Sequence, residues 1–172
     1  MYVQLVPYRP EYLDLYIAWR DESASVRHNP LAPMGREETA MQRLAEGSDL
    51  SELKKYKSYR WFINLDDNLV GSVAIKNISH MMHYAEIAYG VAEAWQGRGI
   101  ATAAVAAMID KAFNESSLRK LIAYVHDQNV ASCRVLEKLG FTREGLLREH
   151  YIINGRVENE ILFGLLKHEW GK

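Results

Sequence analysis

The stretch whose residue types and spacing most plainly could do chemistry is Gln96-Gly97-Arg98-Gly99-Ile100-Ala101-Thr102, which follows a strand-like run and opens a helix-like one. The first amides of a helix have no acceptor inside the helix, and its dipole favours negative charge there. Glycines lack the Cβ that would keep an anion from those amides. The stretch therefore reads as a backbone cradle for a phosphate-bearing ligand, with Arg98 as an added positive charge. An ordinary glycine-bearing turn is the alternative. A dinucleotide fingerprint fits poorly, because Thr102 stands where its third glycine belongs and hairpins, not parallel strands, precede the turn. A nucleotide P-loop fails as well, since no Gly-Lys-Ser/Thr ending follows.

Other candidates lie on either side. Asn129 is a good N-cap for a short helix that Gly140 ends, with Phe141 placed to pack back on it. Ser132 lies three residues into that helix, where it reads equally as an ordinary first-turn serine. Glu86 stands in Ala85-Glu-Ile-Ala-Tyr-Gly-Val91, on the face opposite Ile87 and Tyr89 by strand alternation. A solvated strand carboxylate is its plain reading. His80 and His83 flank a turn and lack a third ligand nearby, so no metal is expected. His126, at a strand end, reads as a structural histidine or a relay. Cys133 has no evident base beside it and reads as a packing residue.

These residues must be positioned by ordinary globular elements. Apolar residues at 48% and charged residues at 25% match an average folded domain. A net charge of -1 gives no support for a nucleic-acid or membrane-surface partner. There is no membrane-length apolar run and no secretory leader pattern, and a lone cysteine forms no intrachain disulfide, so a cytoplasmic domain is expected. A strand at Tyr2 to Pro7 is followed by a helix from about Pro10 to Asp21. Loop signals at Asn29-Pro30, Pro33 and Gly35 mark 22–35, and a helix with Met41, Leu44 and Ala45 on one face runs from Glu37 to Leu53. Trp61 to Leu65 and Leu69 to Ile75 form a hairpin about Asp66-Asp67-Asn68, and a third strand covers Tyr84 to Val91. Ala101, Val105, Met108, Ile109 and Ala112 follow helical spacing. A strand at Lys120 to His126 and a type I′ hairpin at Asn154-Gly155 complete a mixed α/β order.

Two motifs together narrow the field. Gln-x-x-Gly-x-Ala at Gln96 to Ala101 resembles the acetyl-CoA pyrophosphate loop of the GCN5-related N-acetyltransferase (GNAT) superfamily. Asn129-Val-Ala-Ser132 followed by Leu139-Gly140-Phe141 resembles its Asn-x-x-Ser helix at the usual distance. The ending from Glu144-Gly-Leu-Leu-Arg148 to Trp170 is similar to the ribosomal-protein N-terminal acetyltransferase (RimJ/RimL) branch. The resemblance implies one domain over residues 1–172, with a central, mostly antiparallel mixed sheet, flanking helices and a splayed strand pair. It implies acetyl-CoA as cosubstrate, no metal, and direct transfer to a primary amine in a ternary complex. Backbone at Gly90 and Val91 would pair with the pantetheine arm. Amides of Gln96, Gly97, Arg98, Gly99, Ile100, Ala101 and Thr102 would hold the pyrophosphate, and the Asn129 side chain would bond the arm. Ser132 would serve the leaving thiolate, and Glu86 would take the amine proton through water. Where many relatives carry a tyrosine acid, this chain has Leu136.

The acceptor is less legible. Residues Pro10 to Leu53 hold nine acids and four arginines, a local charge of -5, against +4 for the rest of the chain. In the resembled family this segment walls the acceptor side, which fits a cationic acceptor; solvated helix faces explain the same charges. A protein N-terminal α-amine, presented by a basic protein, is the expected acceptor. A small-molecule amine such as a polyamine or antibiotic, and a non-catalytic acyl-CoA sensor, are the alternatives. Monomer and homodimer both fit.

Overall fold

A computed structural model describes residues 2–30 and 34–171. Seven strands form one sheet in the order β1-β2-β3-β4-β5-β7-β6. They are β1 (Gln4–Val6), β2 (Tyr59–Leu65), β3 (Asn68–Ser79), β4 (Tyr84–Val91), β5 (Lys120–His126), β6 (Thr142–Ile153) and β7 (Arg156–Leu166). Every pairing of named strands is antiparallel except β4 with β5, which the helix α4 (Ile100–Glu115) connects. Local chemistry explains both tight hairpins. Asp66 and Asp67 take φ of 48° and 62°, and Asn154 and Gly155 take 49° and 75°, the paired positive values of a type I′ turn. The membrane question has a simple answer: no helix among the described residues is long and apolar enough to span a bilayer.

Alternation sorts the sheet into two faces. Odd positions such as Trp61, Val73, Ile87, Leu121 and Phe163 are buried together with Ile100, Val105, Met108, Ile109 and Phe113 of α4. Cys133 and Leu136 of α5 (Val130–Lys138) join the same core, Leu136 with no exposure at all. The even face carries Phe62, ringed by Tyr8, Tyr12, Tyr16 and Trp19 at centroid distances from 5.3 to 6.1 Å. On this face lie α1 (Leu13–Asp21), α2 (Ser23–His28) and α3 (Arg36–Leu44).

The first third of the chain departs most from expectation. A 3-10 turn at Pro10–Tyr12 precedes α1, and α2 occupies part of the segment read as loop; Pro33 lies outside the described residues. The helix expected to reach Leu53 stops at Leu44. There Gly47 bridges to Tyr59, with Arg60 N–H donating to Gly47 O at 2.9 Å, so the chain has already turned to run beside β2. Met41 and Leu44 are exposed at 66% and 64%, and the buried residues of α3 are Thr39 and Arg43. Arg43 reverses the usual pattern because it lies over the Tyr16 ring at 4.8 Å and pairs with Glu46 at 3.0 Å. At the other end, β6 and β7 run far beyond the Tyr151–Val157 hairpin. Register breaks between Arg143 and Gly145 and between Leu147 and Tyr151 disrupt the period-two pattern that would have marked β6.

One break in the sheet positions everything that follows. The register of β4 with β5 ends at Glu86 opposite Ile122, while β4 continues against β3 to Val91 and β5 continues against β7 to His126. From Ile87 to Val91 and from Ala123 to His126 the two strands diverge. Among the described residues their facing edges lack a strand partner.

Candidate active site

The wide end of this V is closed by the glycine loop. Gly97 and Gly99 sit at φ of 74° and 79°, left-handed values that cost an L-residue about 1–2 kcal/mol. Gly99 is the N-cap of α4, no described side chain caps that helix, and the first amide bonded back is Ala103 N–H to Gly99 O. The amides before it point out of the helix with their partial positive charge unmatched. A Cβ at Gly90, Gly97 or Gly99 would meet nothing within 4 Å among the described residues. The space in front of the amides is therefore open, and it suits a pyrophosphate. The loop's side chains are spent on the loop itself. Gln96 Nε2 donates to Val91 O at 2.9 Å, and Arg98 donates to Ala94 O at 3.0 Å with its guanidinium 5.0 Å above the Trp95 ring. Arg98 is thus a clasp with residual charge, where the sequence had offered it as a free cation.

Across the V, Asn129 caps α5 as expected: its Oδ1 accepts from Ser132 N–H at 3.1 Å. That leaves the Asn129 amide NH2 to donate outward. Gly140 (φ 85°) ends the helix, and Phe141 N–H returns to Leu136 O at 3.0 Å. The Ser132 hydroxyl is 2.7 Å from Tyr89 Oη, which also reaches Ser132 O at 3.2 Å. Burial pushes the Tyr89 phenol up to about 12, so at neutral pH it stays a proton carrier. The sequence had noted Tyr89 only as the face opposite Glu86. Its partnership with Ser132 depends on how α5 docks, which no local pattern records.

The even face of the same strands carries titratable groups. Glu86 stands at the vertex of the V and is only 9% exposed, so the solvated-carboxylate reading fails. Its oxygens are engaged by Asn77 Nδ2 at 2.6 Å and Lys76 Nζ at 3.1 Å. A base acting from there must release one partner or work through water. Glu160, on β7 opposite His126, was not singled out from sequence. Its carboxyl is raised above the ordinary value mainly by burial and further by Glu86, against the pull of His150, Lys76 and His126. His126 is buried, with its Nδ1 3.0 Å from Nδ1 of His28 on α2. Burial and the facing His126 lower the His28 pKa. Cys133 is buried and its thiol is raised, as a packing residue's should be. His80 and His83 lie in the turn between β3 and β4 and line a cleft of about 760 Å³ with Lys54, Lys55 and Asn114 to Ser117, by the C-terminal end of α4, whose N-terminus meets the loop.

A second cleft, of about 540 Å³, opens between the first helices and the tip of the β6–β7 hairpin. Ile17, Val26, Pro30, Met34 and Ile152 line it, with Arg20, Asp21, Asn29, Thr39 and Asn154. Asn154 Nδ2 reaches Val26 O at 3.4 Å and ties the hairpin to α2. A further clasp joins α2 to the turn after β4. Glu93 accepts from Ser23 Oγ and Ala24 N–H, each at 2.6 Å, and Glu22 accepts from Glu93 N–H at 2.9 Å. Five of the nine acids in the N-terminal segment are engaged locally, Glu22 in this clasp, Asp14 with Arg36, Glu46 with Arg43 and Arg60, Glu52 with Lys55, and Asp49 in capping Ser51.

A sheet split at one parallel pair, with an anion-ready helix start at the mouth of the split, defines a CoA-dependent acyltransferase fold. The acetyltransferase (GNAT) domain family matches residues 3–142, and this chain belongs to that family. It is 35% identical over 126 residues to the probable N-acetyltransferase YjcK of Bacillus subtilis strain 168, covering 73% of this chain and 70% of that one. The spermidine N(1)-acetyltransferase of Escherichia coli K12 is 29% identical over 135 residues, 77% of this chain and 73% of the relative. RimJ of Mycobacterium smegmatis, solved with CoA-disulfide, superposes with a TM-score of 0.84 at 29% identity, over 99% of this chain and 84% of that chain. The chain is an acetyl-CoA-dependent N-acetyltransferase with an amine acceptor.

Proposed function

We propose that the chain acetylates the free α-amine at a protein or peptide N-terminus, by direct transfer in a ternary complex. The cleft between the first helices and the β6–β7 tip carries this reading. Of its lining residues one is acidic and one basic, and the rest are apolar or uncharged. Such a groove suits the residues behind a peptide's amine better than the repeated ammonium groups of a polyamine.

In the proposed reaction the thioester arm lies along the free edge of β4, near Gly90 and Val91, with its pyrophosphate on the amides from Gly97 to Thr102; the Gln96 N–H, expected to join them, is already donated to Glu93 O at 3.2 Å. Asn129 Nδ2 holds the arm. The neutral amine attacks the acetyl carbon, the tetrahedral intermediate collapses, and the C–S bond breaks. Ser132 Oγ–H gives its proton to the thiolate, the Tyr89 hydroxyl 2.7 Å away passes one to Ser132, and water returns a proton to Tyr89. The proton released by the amine leaves through water to the Glu86–Glu160 carboxylates. Glu160 is the base in this scheme, because burial raises its carboxyl above the ordinary value and so favours its holding a proton.

Proton chemistry favours an α-amine. Its pKa is about 7.7–8.0 against roughly 10.4 for a lysine-type amine, so at pH 7 about a tenth of α-amines are neutral and well under a thousandth of lysines. In a thiol-release assay, a basic peptide with a free N-terminus should outperform its N-blocked, lysine-containing counterpart. Activity should fall as salt rises. Equal turnover of the blocked peptide, or preference for an acidic one, would overturn the α-amine reading.

The acids Asp127, Glu158 and Glu160 near the hairpin favour one second reading, a polyamine acceptor. Strong turnover of spermidine with none of any peptide would establish it. A protein that binds acetyl-CoA but releases no CoA with any amine would be a sensor.

A further inference from the structure

His126 is 7% exposed, and its Nε2 has no hydrogen-bond partner among the described residues. Yet Glu158 Oε2 is 3.4 Å from that nitrogen and Asp127 Oδ1 is 3.7 Å away. Both carboxylates crowd the nitrogen, and neither makes a hydrogen bond with it. The tautomer does not resolve the conflict. If His126 Nδ1–H donates to His28 Nδ1, 3.0 Å away, a bare Nε2 lone pair faces two carboxylates. If the donation runs the other way, a buried Nε2–H goes unused. A cation between the three groups satisfies the first arrangement completely.

We infer that His126 Nε2, Asp127 and Glu158 form a binding site for a zinc-type divalent metal ion, with three protein ligands and an open fourth position. Ligand spacing selects the occupant. A tetrahedral centre with bonds of about 2.0–2.2 Å holds its ligand atoms about 3.3–3.6 Å apart. Acceptors around an ammonium at about 2.8 Å would stand about 4.6 Å apart, wider than either histidine-to-carboxylate distance here. All three ligand atoms lie within 4.8 Å of one another, and the carboxylates, at 21% and 27% exposure, have freedom to close the remaining edge. Supporting partners are in place. His28 meets the other ring nitrogen, and Asn159 Nδ2 donates to Asp127 Oδ2 at 3.2 Å, leaving Oδ1 toward the site. Gln128 Nε2 lies 3.2 Å from that Oδ1 and would share or yield it. An imidazole with two carboxylates suits zinc, manganese or cobalt better than magnesium, which prefers oxygen ligands and bound water.

The test uses the full chain, stripped with a chelator and titrated with Zn2+ against a chromophoric competitor. One stoichiometric equivalent is expected, with Co2+ in its place giving the visible bands of four-coordinate cobalt. Glu158→Gln and Asp127→Asn, both at part-exposed side chains, should each weaken binding by at least the roughly tenfold that loss of a mere supporting partner costs. His126→Ala should abolish the cobalt bands. The acetyl-CoA thermal shift of Glu158→Gln should match that of the parent, which shows a folded protein with its cofactor cradle intact. Absence of a stoichiometric equivalent, or zinc binding that survives both carboxylate variants, overturns the site. So does spermidine binding at these residues in a protein that takes no metal.

Discussion

The two sides of the splayed strands are made from different materials. The side proposed for the cofactor is backbone: the free edge of β4, two left-handed glycines and the first amides of α4, with Gln96 and Arg98 folded back to hold the loop's shape. The side proposed for the acceptor is side chain: Glu86, His126, Glu158 and Glu160 from three strands, with His28 from α2. A backbone site needs a particular conformation over a few consecutive residues, and almost any side chain on its outer face will do. A side-chain site can be re-equipped one residue at a time without disturbing the sheet. Such a division lets one fold hold a fixed donor on backbone while the acceptor side is free to vary.

The largest expected effect breaks the backbone side. Gly99→Val puts a β-branched residue at φ 79° and a side chain into the open space before the helix amides. Acetyl-CoA at a hundred times its dissociation constant should stabilise the parent by about 2.7 kcal/mol. Thermal unfolding of the variant should show none of that shift, with the ligand-free protein still folded. A normal shift would mean the phosphates lie elsewhere.

The next test sharpens the other side. Glu160→Gln should lower kcat by about a hundredfold, within the usual range for a general base, and should remove the acidic limb of the pH–rate profile. The sign follows from burial: a raised carboxyl is still protonated, and inactive as a base, at a pH where an ordinary glutamate of 4.5 is ionised. The parent's acidic limb should therefore lie above that ordinary value. If Glu86→Gln removes the limb and Glu160→Gln leaves it, the base is the residue first read from the strand pattern. Ser132→Ala and Tyr89→Phe should have a smaller effect, roughly tenfold on kcat, with acetyl-CoA affinity nearly unchanged. Their double variant should cost little more than either single one, because they form one relay. Independent, additive losses would dissolve it.

This contrast also explains what the sequence could tell. Gln96 to Thr102 and Asn129 to Ser132 were legible because each performs its local task within a few residues: a positive-φ turn, a first helical turn, a cap. Strand β4 and strand β5 were legible to the residue, because buried strands carry unbroken patterns. Glu160, and the pairing of Tyr89 with Ser132, were not, because the partners lie far apart in the chain and meet only through the sheet order and the docking of α5. The helix α3 was misjudged for a related reason. Its buried face is polar, with Arg43 held by Tyr16 and Glu46, and apolar periodicity points at the exposed Met41 and Leu44 instead.

The smallest predicted effect lies where the two sides are joined. Glu93, in the turn between β4 and the glycine loop, caps α2 from outside, while Glu22 returns the favour to the Glu93 amide. Hydrogen bonds from Ser23 and Ala24 hold the Glu93 carboxyl below its ordinary 4.5. A depressed acid stabilises the fold above its unfolded pKa, and that contribution is lost as pH falls through the lower folded value. Amide exchange at Ala24 should therefore accelerate on acidification below about pH 4.5, relative to amides of the buried middle of α4. Glu93→Gln keeps an acceptor oxygen but no charge, so its α2 exchange should be slightly faster at neutral pH and should lose this acid dependence. Because α2 lines the cleft proposed for the acceptor and the turn leads into the glycine loop, the variant should raise the acceptor KM modestly. The acetyl-CoA shift should stay where it was, since the left-handed glycines do not depend on Glu93. A variant that instead lost acetyl-CoA binding would show the two sides to be one cooperative unit, and the division drawn between them would fail.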